Sequence, residues 1–126
     1  MAELHDIVVD CRHPAALARF WAATLDGYGV APYDEAEIER LRSIGITDLD
    51  EDPGVLVEAP GVSPRFFFQR VPEGKVVKNR VHVDLRCEDV DAEVARLQEL
   101  GARLVDTRDG WRVLTDPEGN EFCLSP

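Results

Sequence analysis

A histidine, an aspartate and an arginine alternate with apolar residues in the segment NRVHVDLRCED, residues 79–89. If the segment is a β-strand, His82, Asp84 and Arg86 share one face, because successive side chains of a strand point to opposite faces. A neutral imidazole can take up a proton near neutral pH or bind a metal ion, and a carboxylate can orient it. The pattern therefore indicates a reactive polar face, or else a structural histidine that is hydrogen-bonded to Asp84.

Other acidic side chains occupy matching positions in two further predicted strands. Asp6 and Asp10 share one face of the strand predicted for residues 4–11, and Glu121 has the same parity as Cys123 in the last strand. Clustered carboxylates can share a proton or orient a polar ligand. Structural ion pairs are the alternative interpretation, because paired charges are often architectural.

Aromatic residues can supply the apolar part of a binding site. Three phenylalanines are consecutive at 66–68, so at least one of them points away from the helices if the segment is extended. Phe67 is predicted to do so, with the same parity as Gln69. Trp111 can cover a ligand, although core packing or ordinary surface exposure is the alternative.

These residues lie within a regular order of predicted elements. Helices are predicted from Pro14 to just before Gly27, over residues 34–44, and from a cap near Asp89 to Gly101. The predicted strands cover residues 4–11, 54–59, 65–70, the segment around His82, 102–107, 111–115 and 120–125.

The element order repeats within the chain. A displacement of 76 residues carries Cys11 onto Cys87 and Asp6 onto His82, and brings the first helix onto the third. The helix over about 34–44 has no counterpart and is interpreted as an insertion.

Composition narrows the class of protein. The 126 residues fit one domain, 1–126, with a first module over about 1–75 and a second over about 76–126. The formal charge of −11 would repel nucleic acids and anionic membranes. No apolar run approaches a membrane span and the N-terminus does not resemble a signal peptide, so a cytoplasmic protein is expected. Three scattered cysteines predict no disulfide framework.

Four segments together resemble the glyoxalase, bleomycin-resistance and extradiol-dioxygenase superfamily, the vicinal oxygen chelate proteins. They are residues 10–25, 78–86, 91–103 and 116–124, the last being DPEGNEFCL. The resemblance implies an α+β fold: two βαβββ modules forming a cupped, mostly antiparallel mixed sheet around a cavity, with an inserted helix in the first module. It also implies a homodimer.

Metal-dependent members of this superfamily take ligands from the first and last strands of each module. Carried over residue by residue, the resemblance assigns Asp6, Gln69, His82 and Cys123 to these positions. Familiar members have histidine or glutamine, then glutamate, histidine and glutamate, so this chain departs from their pattern. A divalent metal fits this mixed set less well than theirs, and the cofactor stays open.

The resemblance implies a glyoxalase-like site for a small molecule, acting as a lyase or isomerase on a polar, carbonyl-bearing metabolite. The candidate catalytic residues are His82, Asp84 and Glu121, and the candidate ligand-binding residues are Asp10, Phe67, Arg86 and Trp111. The alternative is non-catalytic sequestration of a drug or metabolite, for which the acidic chain would suit a cationic ligand. A structural or regulatory module is a third interpretation.

Overall fold

Each half of the chain folds around its own four-stranded sheet. The computed structural model describes residues 1–126, which divide into two units, residues 1–74 and 75–126. The first unit contains β1 (Asp6–Cys11), α1 (Pro14–Thr24), β2 (Gly29–Val30), α2 (Glu35–Ser43), a 3-10 helix (Leu49–Glu51), β3 (Gly54–Glu58) and β4 (Arg65–Arg70). The second contains β5 (Asp84–Arg86), α3 (Val90–Leu100), β6 (Arg103–Arg108), β7 (Trp111–Thr115) and β8 (Glu121–Ser125).

The two sheets have the same topology. Their strand orders are β1-β4-β3-β2 and β5-β8-β7-β6. In each, the first strand of the unit pairs in parallel with the last one, and the other pairs are antiparallel. The predicted α+β class and the two βαβββ modules are therefore confirmed, with α2 as the inserted helix of the first module.

Local sequence signals explain where the helices begin and end. Pro14 opens α1, where its missing N–H costs no hydrogen bond. Asp34 caps α2 by accepting a hydrogen bond from the backbone N–H of Glu37 at 2.8 Å. The side chain of Asp89 caps α3 in the same way, and Gly101 ends it with a φ of 115°, a conformation that favours glycine.

One face of each sheet is buried in its unit. In the first unit Val55, Val57 and Phe68 are inaccessible or nearly so, and in the second Leu114 and Phe122 are fully buried. Their neighbours in sequence point to the opposite face, because side chains alternate along a strand. That opposite face of each sheet carries the predicted site residues.

A buried aspartate organises the turn DPEGN that leads into β8. Asp116 is 2% exposed and its carboxylate accepts hydrogen bonds from the backbone N–H groups of Glu118 and Asn120 and from the Asn120 side-chain amide, all between 2.9 and 3.1 Å. Four hydrogen bonds to one carboxylate fix the turn and hence the start of β8.

The strand predicted around His82 is shorter than expected. Regular pairing covers only Asp84–Arg86, and the pairing with β8 begins with the Val83 carbonyl, which accepts a hydrogen bond from the Cys123 N–H at 3.0 Å. Upstream, the Asn79 N–H donates to the Glu121 carboxylate at 3.0 Å, so a side chain holds that segment. His82 therefore precedes the strand.

Two short elements fall outside the predicted ones. β2 has only two residues, too few for an alternating pattern. The 3-10 helix lies in an acidic segment, between the predicted second helix and the strand over 54–59, for which no element was predicted. None of the three α-helices has the length and the continuous apolar surface that a membrane-spanning helix requires.

Candidate functional site

The exposed face of the second sheet carries most of the residues predicted to be reactive. Asp84 lies opposite Cys123 in the pair of β5 and β8, and Cys123 lies opposite Val113 on β7. Directly paired residues share a face, and so do residues two positions apart. This face therefore includes Asp84, Arg86, Trp111, Glu121 and Cys123.

His82, Asp84 and Cys123 form a cluster of three possible metal donors. One nitrogen of His82, one carboxylate oxygen of Asp84 and the Cys123 sulfur all lie within 4.8 Å of one another. His82 Nε2 is 3.5 Å from Asp84 Oδ1. The side chains of His82 and Asp84 are 44% and 76% exposed, whereas Cys123 is buried. The cluster thus combines a solvent-accessible imidazole and a solvent-accessible carboxylate with a buried thiol.

The thiol of Cys123 is held in its protonated form. Burial raises its pKa, and the negative charge of Asp84 together with a hydrogen bond to Asp84 raises it further. A protonated thiol is a poor nucleophile. The assignment of Cys123 as a metal ligand stays a prediction.

Glu121 anchors the segment that precedes His82. Its carboxylate accepts hydrogen bonds from Lys75 Nζ at 3.2 Å and from the Asn79 N–H at 3.0 Å. Partial burial works against the charged form, but these hydrogen bonds outweigh it and lower the pKa of Glu121 to about 2. Glu121 is therefore ionised near neutral pH, where it accepts hydrogen bonds but is neither a proton donor nor an effective base.

The Glu121 interactions predict a pH-dependent contribution to stability. A carboxylate with a lowered pKa stabilises the fold fully above its ordinary pKa of 4.5, and this contribution disappears as the pH falls towards 2. The wild-type chain should lose up to about 3 kcal/mol more than Glu121→Gln over that interval. Urea unfolding at a series of pH values measures the difference, and parallel curves for the two proteins would contradict it.

Arg86 and Trp111 are both exposed on the face that carries the cluster. Trp111 is 39% exposed, and the Arg108 guanidinium lies 5.9 Å from the centre of its ring. This cation–π contact holds the ring at the surface of the sheet. Their assignment as ligand-binding residues stays a prediction.

Ion pairs and hydrogen bonds occupy the exposed face of the first sheet. Arg65 donates two hydrogen bonds to the Asp6 carboxylate, at 2.7 and 3.0 Å. These bonds lower the pKa of Asp6, despite partial desolvation. Gln69 Nε2 donates to Asp10 Oδ1 at 2.7 Å. Both carboxylates predicted to face a ligand are therefore already engaged.

The predicted ligands Asp6 and Gln69 are not brought together. Asp6 lies opposite Arg65, and Gln69 lies four residues further along β4, or roughly 13 Å at the rise of a strand. Val8 pairs with Phe67 as Asp84 pairs with Cys123, so Phe67 is the first module's counterpart of Cys123. A phenyl ring offers no metal ligand at that position.

A cavity of about 830 Å³ opens beside the same face of the first sheet. Phe67, Leu56 and Gln69 contribute to it from the sheet, and Glu37 and Arg40 contribute from α2. The inserted helix therefore builds one wall of a space large enough for a drug-sized molecule. Phe67 lines this cavity, and its assignment as a ligand-binding residue stays a prediction.

A buried hydrogen bond organises one end of this cavity. Tyr33 donates its hydroxyl to Asp52 Oδ2 at 2.7 Å, and the Gly54 N–H donates to Asp52 Oδ1 at 2.9 Å. Burial raises the pKa of Tyr33, and the Asp52 carboxylate raises it further. Sequence reasoning missed Asp52, which is 1% exposed. The available signal was the sequence DPG, whose glycine is the first residue of the predicted strand over 54–59, a pattern typical of a side-chain-capped turn.

Comparison with known proteins agrees with this architecture. The sequence matches the model of the "Glyoxalase-like domain" family over residues 6–125. The chain belongs to this family. No curated protein matches the sequence of this glyoxalase-like domain.

Solved structures share the fold at low identity. The fosfomycin resistance protein FosX from Mesorhizobium loti superposes with a TM-score of 0.68 at 13% identity, covering 99% of this chain and 91% of that one. A possible glyoxalase from Bacillus cereus has a TM-score of 0.67 at 12% identity, with all of both chains covered. An antibiotic-binding protein from a Streptomyces species has a TM-score of 0.58 at 18% identity, covering 99% and 95%. These likenesses show that the chain shares the fold of these proteins.

The donors of the second module fit a zinc ion better than the set predicted from the resemblance. Zinc accepts imidazole, carboxylate and thiolate, and sites with three protein ligands leave a fourth position open. His82, Asp84 and Cys123 supply one donor of each kind within 4.8 Å. Asp84 thus lies beside His82 and Cys123, in place of Asp6 and Gln69 of the first module, which the resemblance assigned to the donor set.

Proposed function

We propose that this glyoxalase-like domain acts on a polar, carbonyl-bearing small molecule as a lyase or isomerase, with the chemistry located at His82, Asp84 and Cys123. The convergence of these three donors on the exposed face of the second sheet carries the proposal. Reactions of this class move a proton next to a carbonyl group, which requires a base and a group that stabilises the developing negative charge.

His82 is the proposed base. Asp84 lies 3.5 Å from its Nε2 and stabilises the imidazolium that forms when His82 takes up a proton. The same three residues could instead hold a zinc ion; His82 would then be a ligand and not the base, and the bound ion would polarise a carbonyl oxygen. Arg86, on the same face, is proposed to anchor an anionic group of the substrate. Glu121 fixes the segment before His82 and is proposed to assist only as an acceptor.

Cobalt binding tests the donor cluster without knowledge of the substrate. Co²⁺ added to metal-free protein should give a thiolate-to-cobalt absorption band that Cys123→Ser abolishes and His82→Asn weakens. Cys87→Ser removes a thiol outside the cluster and should keep the band. An identical band in Cys123→Ser, or no band in the wild type, would remove the metal from the proposal.

Turnover tests the reaction itself. We expect NMR spectra of a panel of 2-oxoaldehydes and 2-oxoacids to show a new product with the wild-type protein. His82→Asn should then lower kcat/KM by about 10²–10⁴-fold, the usual loss on removing a general base. His5→Asn removes an exposed imidazole outside the cluster and serves as the control. Equal turnover by His82→Asn would refute the assigned role.

A second candidate function, sequestration of a drug or metabolite, is favoured by the 830 Å³ cavity of the first module. Three acidic residues and two basic ones line it: Asp34, Glu37, Asp52, Arg40 and Arg70. Because the acidic residues outnumber the basic ones and the chain carries a formal charge of −11, a cationic ligand is favoured. The Streptomyces structural neighbour is itself described as antibiotic-binding. Calorimetry with a cationic aromatic dye separates the two functions, because sequestration survives a chelator and is weakened by Phe67→Ala.

We also propose that the chain forms a homodimer. Three valines of the second unit are 73–89% exposed: Val76, Val77 and Val81. Contact of these apolar side chains with water is unfavourable, and an interface would remove it. Light scattering should give twice the monomer mass of 14.1 kDa. A monomer at all concentrations would contradict this assignment.

A further inference from the structure

A second cavity of the first unit, of about 500 Å³, has a distinct chemical character. It lies where the parallel strands β1 and β4 end, and its lining residues are Arg12, His13, Pro53, Arg70, Val71 and Pro72. Two guanidinium groups and an imidazole are among them, and none of the six is acidic. Such a lining is unexpected in a chain with 25 acidic and only 14 basic residues.

Backbone hydrogen bonds fix the walls of this cationic cavity. The Val71 N–H donates to the Cys11 carbonyl at 2.8 Å, and the Arg70 N–H donates to the Pro53 carbonyl at 2.8 Å. The backbone positions from which Arg12 and Arg70 project are therefore set by the sheet. Because proline rings at 53 and 72 restrict the backbone further, little conformational entropy remains to be lost when a ligand binds.

Arg70 retains capacity for a second acceptor. Its Nη2 lies 3.4 Å from Glu51 Oε2, a long contact whose two side chains are 36% and 64% exposed. A guanidinium has five N–H donors in a planar fork, so one long contact leaves most of them available. Glu51 is a weak competitor for an anion, because exposed ion pairs contribute little free energy.

The charges around this cavity also favour an anionic ligand. The first turn of α1, which directly follows His13, contains no acidic residue. Arginine forks match the geometry of phosphate oxygens, and two of them beside an imidazole suit a doubly charged anion better than a single carboxylate.

We propose that the cationic cavity binds the phosphate group of a small molecule through Arg12 and Arg70. Pro53 and Arg70 line both this cavity and the 830 Å³ cavity, so the two spaces adjoin. A phosphate monoester held here can extend its organic part towards Phe67, whereas free phosphate would occupy the cationic cavity alone. The site does not depend on the chemistry proposed for His82.

NMR titration of the ¹⁵N-labelled protein tests the site, with sodium chloride at equal ionic strength as the blank. Inorganic phosphate and glycerol phosphate form the two arms. Saturable shifts at the amides of Arg12, His13 and Val71 are expected, and shifts that spread to Phe67 only with the ester identify a monoester as the fitting ligand. If neither anion gives saturable shifts beyond the chloride blank, the proposal is overturned.

Charge variants separate a built site from general attraction. Arg12→Gln and Arg70→Gln should each raise the phosphate Kd by about tenfold, the usual effect of losing one charge-assisted hydrogen bond. Glu51→Gln should lower the Kd by removing the competitor. Arg42→Gln removes an exposed arginine that pairs with Glu39 on α2 and lies outside the cavity, so its Kd should equal the wild-type value. An equal weakening by Arg42→Gln would overturn the proposal.

Discussion

Phe68→Ala is expected to lower the free energy of unfolding by about 3–5 kcal/mol. Phe68 is fully buried between two neighbouring strands, where it pairs with Val9 of β1 and Val55 of β3. Truncation removes the buried ring and leaves a cavity that these neighbours fill only in part. Guanidinium unfolding measures the loss. Phe68→Leu is expected to lose about 1–2 kcal/mol and tests the same prediction if the alanine variant does not fold.

The adjacent residue supplies a matched control. Phe67 has the same side chain and strand, but its ring lies on the opposite face and lines the 830 Å³ cavity. Phe67→Ala should therefore cost only about 1 kcal/mol of stability, because part of its surface is already in contact with solvent. Equal destabilisation by the two alanine variants would mean that the assigned faces of β4 are wrong.

Asp116→Ala is expected to destabilise the fold by about 3–4 kcal/mol. The substitution leaves the N–H groups of Glu118 and Asn120 without their acceptor, and each hydrogen bond to a charged group is worth about 1.5–3 kcal/mol before relaxation. Asp116→Asn retains one acceptor oxygen and should lose about half as much. Thermal and guanidinium unfolding measure both variants.

The other aspartate turn of the second unit provides the control for Asp116. Asp109 is exposed in the turn between β6 and β7, so Asp109→Ala should change the stability by less than about 0.5 kcal/mol. The cobalt band at Cys123 should also weaken in Asp116→Ala, because the turn sets the start of β8. A destabilisation by Asp109→Ala as large as that by Asp116→Ala would contradict this account.

The alternation of apolar and polar residues predicted well which side chains share a face of a strand, because this depends only on residues that are close together in sequence. Phe67 and Phe68 were separated correctly by parity alone, and the parity of Glu121 and Cys123 also holds. Capping residues such as Asp34 and Asp89 likewise act within four residues of their partners. Features that depend on residues so close together in the chain can be derived from a single sequence.

Register and burial depend on distant partners and could not be derived in the same way. The resemblance assigned Gln69 and Asp6 to one set of ligands, but the parallel pairing of β1 and β4 sets Gln69 opposite Asp10. The strand around His82 is shortened by Glu121, a residue 39 positions away whose carboxylate holds the Asn79 N–H. Asp52 is buried only because Tyr33 and the Gly54 backbone close around it.

The parallel pairing of the first and last strands also determines what each module can tolerate between them. Val8 meets Phe67 after 59 residues, whereas Asp84 meets Cys123 after only 39. The entropy of closing a loop grows only with the logarithm of its length, so the longer first loop costs about 0.4 kcal/mol more than the shorter one. The first module thus carries α2, and with it a wall of its cavity, at almost no thermodynamic penalty. Exchanging this segment for one of another length or composition is therefore a route to a different ligand preference that leaves the sheet in place.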